Sequence, residues 1–292
     1  MDDVKKAIAS LMDVSPKYIT DIQSLKKGMT NQSFLFYLDN KKYIFRLPGA
    51  GTEQLVDRKQ EMASYKAIEG KDICSSPIYI DEKGYKITEF VDNARVCNPK
   101  DIADVSMCIK ALRKMHSIKL SVDHEFNLFQ QIDKYEMLWG DNQSVHDDYK
   151  ETKRKVQSLK DYVSANSREH CLTHIDAVPD NFLITGKEKV ELIDWEYAGM
   201  QDPHVDIAMF AIYSYYGKAQ IDQLIDIYFC DECEGRIRAK IYCYVAICGL
   251  LWSNWCEFKQ MKGNHFGEYS QIQYNYAKDF YEIARKEIND NV

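Results

Sequence analysis

The feature that most limits what this chain can fold into is a change of hydrophobic period near residue 90. Up to that point short β-rich runs alternate with turns: "YITDIQSL", the Gly-bearing "KKGMTN", "SFLFYL", the turn "DNKK" and then "YIFRL". Runs of β-branched and aromatic residues punctuated by Gly, Asn and Asp read as antiparallel strands. An amphipathic helix over about 3–12 precedes them, and "GTEQLVDRKQEMASYKAIEG" interrupts them with helical spacing that stops at Gly70. "PIYI" and "YKITEF" around "DEKG" complete the set as a hairpin. After "VDNA" the pattern turns helical over 100–119, 125–139, 149–165 and from Pro203 to near the C-terminus; only "NFLIT" and "VELID" return to strand. Strands segregated from helices specify an α+β fold. The expected division is a β-rich lobe over 1–90 and a helical lobe over 91–292, and ligands favour the cleft between two such lobes.

Charge and cysteine usage narrow the function classes. With 38 basic against 45 acidic residues the formal charge is -7, which argues against a nucleic-acid partner, because phosphate backbones want a basic face. The opening "MDDVKK" carries acids where a secretory signal begins with basic residues. The longest apolar run, "IYCYVAICGLLW" over 241–252, is too short to cross a bilayer and suits a buried core helix. The expectation is a cytoplasmic protein without membrane insertion. Nine cysteines without framework spacing read as reduced thiols. The C-x-x-C of Cys230 and Cys233 has no second ligand pair to match it, so it reads as structural rather than zinc-binding.

The chemistry concentrates in "HCLTHIDAVPDNFLI" and "VELIDWEYAG". Asp176 is followed five positions later by Asn181 and eighteen positions later by Asp194, with "NFLIT-GKEK-VELID" reading as a hairpin between them. Asn181 enters the first strand and Asp194 leaves the second, so their oxygens can converge on a hard cation such as Mg²⁺. Asp176 is then free to face a substrate hydroxyl. A D-x-x-x-x-N loop with a separate metal-binding Asp is the arrangement that phosphoryl transfer uses.

At these residues the sequence resembles the choline/ethanolamine kinase family, of the bacterial choline kinase type, within the aminoglycoside phosphotransferase and protein-kinase-like superfamily. The motifs are "HIDAVPDN" and "LIDWEYAGMQDPHVDIA", and the resemblance runs from the "GMTN" turn to the C-terminal helices. It implies a bilobal fold and ATP-dependent phosphorylation of a small-molecule hydroxyl. Carried over by position, Asp176 is the catalytic base, Asn181 and Asp194 hold Mg²⁺, and His174 braces the loop. Asp206 clamps the loop backbone in related folds.

The small lobe is expected to hold the nucleotide. Gly28, Thr30 and Asn31 form a turn whose backbone amides reach phosphates if the resemblance holds, and an ordinary hairpin otherwise. Arg46 shares a strand face with Ile44, and a cation on a buried strand needs an anion. Glu61, on the helix face of Tyr65 and Ile68, is the expected partner. An Arg46–Glu61 pair is either a phosphate clamp or a structural ion pair. Glu89, Phe90 and Val91 form the lobe connector that meets adenine in this reading.

Trp252 and Trp255 lie at i,i+3 on one helix face, a spacing that serves core packing or, as the resemblance implies, a choline pocket. A trimethylammonium group offers no N–H donor, whereas aromatic faces attract it by roughly 0.5–2 kcal/mol each. Tyr197 and Glu196 are the expected further wall and counter-charge. Ethanolamine, whose ammonium prefers hydrogen-bond acceptors, and aminoglycosides are the alternative acceptors, with an inactive binding module as the remote one. Asp202 and Pro203 read as a helix cap and first turn. His116, His124 and His204 show no ligand spacing.

Overall fold

The computed structural model describes residues 1–25, 31–49, 52–186 and 189–290. Gly28 and Thr30 lie outside the described residues. By contacts the chain divides into two compact units, Met1–Arg95 with Leu183–Ala198, and Val96–Phe182 with Gly199–Val292. In chain order the elements begin with α1 (Asp2–Leu11), β1 (Ile19–Ser24), β2 (Asn31–Leu38), β3 (Lys41–Pro48), α2 (Arg58–Ile68), β4 (Tyr79–Ile80) and β5 (Lys86–Glu89). There follow β6 (Arg95–Val96), α3 (Ile102–Ser117), α4 (Leu128–Met137), α5 (Tyr149–Gln157), α6 (Lys160–Asn166), β7 (Cys171–Thr173), β8 (Phe182–Thr185) and β9 (Lys189–Leu192). The last are β10 (Gly199–Gln201), α7 (His204–Tyr213), α8 (Lys218–Phe229), α9 (Gly235–Met261) and α10 (Tyr269–Asp290).

The first unit is built on an antiparallel sheet in the order β1-β2-β3-β5-β4. Asp39 and Asn40 turn β2 into β3 with positive φ at both positions, the geometry that follows the right-handed twist of a two-residue hairpin. Alternation then decides the faces. Phe34, Phe36 and Leu38 of β2 and Tyr43 and Phe45 of β3 pack with Ile8 of α1 and Ile19, while Ile44 and Arg46 take the other face. Helix α2 starts at Arg58, later than the apolar spacing suggests, because the Asp57 carboxylate accepts from the amides of Lys59 and Gln60 and so fixes the cap.

Segment 183–198 joins this unit through specific bonds. The Leu192 amide donates to Ile73 O at 3.0 Å, and the Glu191 carboxylate accepts from the Ser75 amide and hydroxyl. Asp194, Trp195 and Glu196 therefore belong with the first ninety-five residues and not with the helices around them in sequence.

The second unit is organised around α9, which is buried continuously from Ala239 to Lys259 and packs against α10, α7 and α4. A helix apolar on all sides is a core helix, as expected for "IYCYVAICGLLW". The stretch 149–165 forms two helices rather than one; the Ser158 hydroxyl donates back to Lys155 O at the break and competes with the backbone ladder. Strand β7 pairs antiparallel with β10; Pro203, not Asp202, takes the cap position of α7, and the Asp202 carboxylate one place earlier accepts from the His204 amide at 2.9 Å. Among the described residues no helix is long and apolar enough to cross a membrane.

Candidate active site

In the second unit, buried β7 delivers His174, Ile175 and Asp176. Ile175 stands at φ +68, a strained position for a β-branched residue. Asp206, wholly buried at the start of α7, holds it there: its carboxylate accepts from the His174 amide at 3.0 Å and the Ile175 amide at 2.7 Å. His116 Nε2 lies 3.0 Å from the same carboxylate, and its Nδ1 meets the Tyr228 hydroxyl at 2.9 Å. The histidine is a brace for the clamp rather than an isolated core residue.

Asp176 is gripped from two sides. Asn181, in the Pro179–Asn181 turn, donates its amide to Asp176 O at 2.9 Å and to Oδ2 at 3.1 Å. The Tyr213 hydroxyl donates to Oδ1 at 2.7 Å. This arrangement leaves Asn181 Oδ1 without a protein partner among the described residues.

Aromatic rings continue from Tyr213. Its ring centroid lies 5.7 Å from that of Trp252, Trp252 meets Trp255 edge to face at 5.6 Å, and Trp255 meets Phe266 at 5.5 Å. Both tryptophans are almost fully buried, and Trp252 Nε1 donates to Met209 Sδ. Burial, with the Asp176 carboxylate adding to it, pushes the Tyr269 phenol well above its usual value.

In the first unit the Arg46–Glu61 pair expected from helix spacing is formed, Nη2 to Oε2 at 2.6 Å. Arg46 Nη1 also lies 3.1 Å from Asp194 Oδ1. Two cations that the sequence reading passed over join them. Lys86 Nζ lies 3.2 Å from Glu61 Oε1 and 3.7 Å from Asp194 Oδ1, and Arg58 Nη1 lies 2.9 Å from Glu61 Oε2. Burial alone would raise the Glu61 carboxyl, but Lys86, Arg46 and Arg58 together hold it well below the usual carboxylate range. A cavity of about 350 Å³ opens beside this cluster, lined by Ile44, Arg46, Lys86, Glu89, Val91 and Asp194 among others. Arg46 Nε is buried with no acceptor among the described residues, an orphan donor on the cavity's cationic wall.

The structure thus gathers Arg46, Glu89, Val91 and Asp194 at one cavity of the first unit, with Glu61 paired to Arg46, and Asp176 with Asn181 in the second. The side chains of Asn31 and Glu196 meet in the first unit. Asn31 donates to Glu196 Oε2 at 2.8 Å and accepts from Arg58 Nη2 at 2.9 Å, while Arg58 Nη1 reaches Glu196 Oε2 at 2.9 Å. The Glu196 charge, expected to balance a cationic acceptor, is therefore engaged by Arg58. Tyr197 is buried in the first unit, whereas both tryptophans belong to the second.

Comparison with known proteins follows the same lines. A family profile described as choline/ethanolamine kinase matches residues 22–225. Protein LicA of Haemophilus influenzae (strain ATCC 51907 / DSM 11121 / KW20 / Rd) is 25% identical over 260 residues, spanning 83% of this chain and 94% of that protein. The crystal structure of choline kinase LicA from Streptococcus pneumoniae is similar with a TM-score of 0.84 at 27% identity, covering 97% of this chain and 98% of that one. LicA in complex with AMP gives 0.83 at 27% identity with the same coverage. The bilobal, kinase-like α+β fold expected from the sequence is the fold of these neighbours.

Proposed function

The chain belongs to the choline/ethanolamine kinase family, and we propose that within it the acceptor is choline, phosphorylated by the γ-phosphoryl group of Mg²⁺-bound ATP to give phosphocholine. That the chain is an ATP-dependent small-molecule kinase follows from the family and its relatives. The observation that carries the choline reading is the contact chain of the second unit: the hydroxyl that holds the Asp176 carboxylate belongs to a ring packed against Trp252. A proton acceptor and a set of aromatic faces lie one side chain apart, which suits an alcohol carrying a quaternary ammonium.

The nucleotide is assigned to the cavity lined by Arg46, Glu89, Val91 and Asp194. The orphan N–H of Arg46 supports an anion there, and the relative crystallised with AMP supports an adenine nucleotide. Asn181 Oδ1 and Asp194 Oδ2 have no protein partner among the described residues. The D-x-x-x-x-N loop and the separate Asp of the sequence motif assign Mg²⁺ to these two side chains, whose oxygens are of the hard type that ion takes. Bound Mg²⁺ supplies positive charge against the phosphate oxygens.

Asp176 orients the acceptor hydroxyl and takes its proton. The acceptor oxygen forms the new O–P bond as the bond to the β-phosphate oxygen breaks, and that electron pair leaves on ADP. Arg46, fixed by Glu61, adds charge on the phosphoryl side. Catalysis in this scheme is chiefly positioning and electrostatics.

ADP release measured in parallel with choline, ethanolamine and several aminoglycosides tests the reading. The expected result is the highest kcat/KM on choline; absence of turnover on choline overturns the acceptor assignment. Asp176→Asn should lose turnover while keeping affinity for ATP and choline, and an unchanged rate would remove Asp176 from the mechanism.

A further inference from the structure

We propose that Tyr213 is a positioning residue for the transfer, its hydroxyl fixing the Asp176 carboxylate and its ring joining that carboxylate to the tryptophan pair; the inference rests on the kinase reading above. Tyr213 is the last residue of α7, and Asp206 lies in the first turn of the same helix. Seven residues are close to two helical turns, so both side chains leave one face about 10 Å apart. Asp206 grips the loop backbone at His174 and Ile175, and Tyr213 grips the side chain of the next residue. Val205 to Ile212 are buried, so the helix that sets this spacing is locked in the core. A strained loop is thereby held at two points by one rigid element.

Tyr213 on Oδ1 and Asn181 on Oδ2 fix the plane and direction of the carboxylate. In phosphoryl transfer through a loose transition state the aim of the group that meets the acceptor hydroxyl matters more than its base strength. The ring contact with Trp252 makes the distance from carboxylate to aromatic faces the width of one side chain.

Steady-state kinetics on the whole chain separate the two roles. Tyr213→Phe keeps the ring; kcat should fall about tenfold, the worth of a hydrogen bond to a charged group, with the KM for choline and ATP within about twofold of wild type. Tyr213→Leu removes the ring as well and should also raise the choline KM while leaving the ATP KM alone. A Tyr213→Phe variant with wild-type kcat overturns the proposal. A second readout needs no turnover: the side-chain ¹³C resonance of Asp176, assigned with Asp176→Asn and recorded at neutral pH. Tyr213→Phe removes a donor to Oδ1, so this resonance should shift; an unmoved resonance overturns the proposal. A shifted resonance in a chain inactive on choline would leave the positioning role standing and refute the acceptor assignment instead.

Discussion

Arg58 Nη1 and Glu196 Oε2, 138 positions apart in sequence, meet at 2.9 Å inside the first unit. The same guanidinium reaches Glu61 at 2.9 Å and Asn31 at 2.9 Å, so one side chain ties the start of β2 and the start of α2 to the residue two places beyond Asp194. A cation in the first turn of a helix is disfavoured by the helix dipole; here two buried carboxylates outweigh that. Arg58→Met leaves those carboxylates without part of their counter-charge and should cost about 3–5 kcal/mol. Arg58→Lys should recover only part, because an ammonium cannot reproduce the planar fork. Urea unfolding of the three proteins at neutral pH checks the order.

The depressed Glu61 carboxyl gives a pH dependence of definite sign. The unfolded chain takes up the proton first as pH falls, so the stabilisation is complete above the ordinary glutamate value of 4.5 and is lost as pH drops toward the folded value. His204 acts in the same direction over a higher window. Burial holds its imidazole at about 4 instead of 6.5, against the pull of Asp202, whose other oxygen is paired with Lys240 at 2.6 Å. Its contribution is present above 6.5 and disappears between 6.5 and 4. Urea midpoints measured from pH 7 to pH 3 should fall in two stages. Glu61→Gln should flatten the lower stage alone, at the expense of stability at pH 7, and His204→Leu the upper one.

What was legible in the sequence was local. Asp176 and Asn181 stand five residues apart on one loop, and the Arg46–Glu61 pair followed from a strand face and a helix face that periodicity alone defines. Arg58 was not legible, because a charged residue near a helix start reads as solvated and its partners Asn31 and Glu196 come from other elements. Lys86 alternates within "YKITEF" like any strand-end lysine, yet it is buried against Tyr65 and Glu61. Tyr213 ends a helix that is apolar on every face, so no periodicity marks which side its hydroxyl serves. The tryptophan spacing was visible; the burial of both rings was a matter of packing that spacing does not decide.

Metal dependence follows from the assignment of Mg²⁺ to Asn181 and Asp194. EDTA should abolish ADP release and added Mg²⁺ should restore it. Asp194→Ala should lower kcat on the order of a hundredfold or more, the scale expected when charge stabilisation of a transition state is removed. Full activity after exhaustive chelation would refute the assignment.

The packing of α9 on α10 depends on one missing methyl group. A Cβ at Gly249 would stand 2.7 Å from Gln273 O, 2.7 Å from Tyr276 Cβ and 2.9 Å from Ala277 N. Two of these three atoms are backbone, so a rotamer change cannot make room and the helices must separate. Exchanging glycine for alanine inside a helix ordinarily favours the fold by about 1 kcal/mol. Overpacking a rigid interface costs about 1–3 kcal/mol, and here it acts on the helix pair at the centre of the second unit. The second effect should win. Gly249→Ala is expected to unfold at a lower urea concentration than wild type with an unchanged m-value, and Gly249→Val lower still. An alanine variant as stable as the parent would mean that α10 shifts freely against α9, and the continuous burial of residues 239–259 speaks against such freedom.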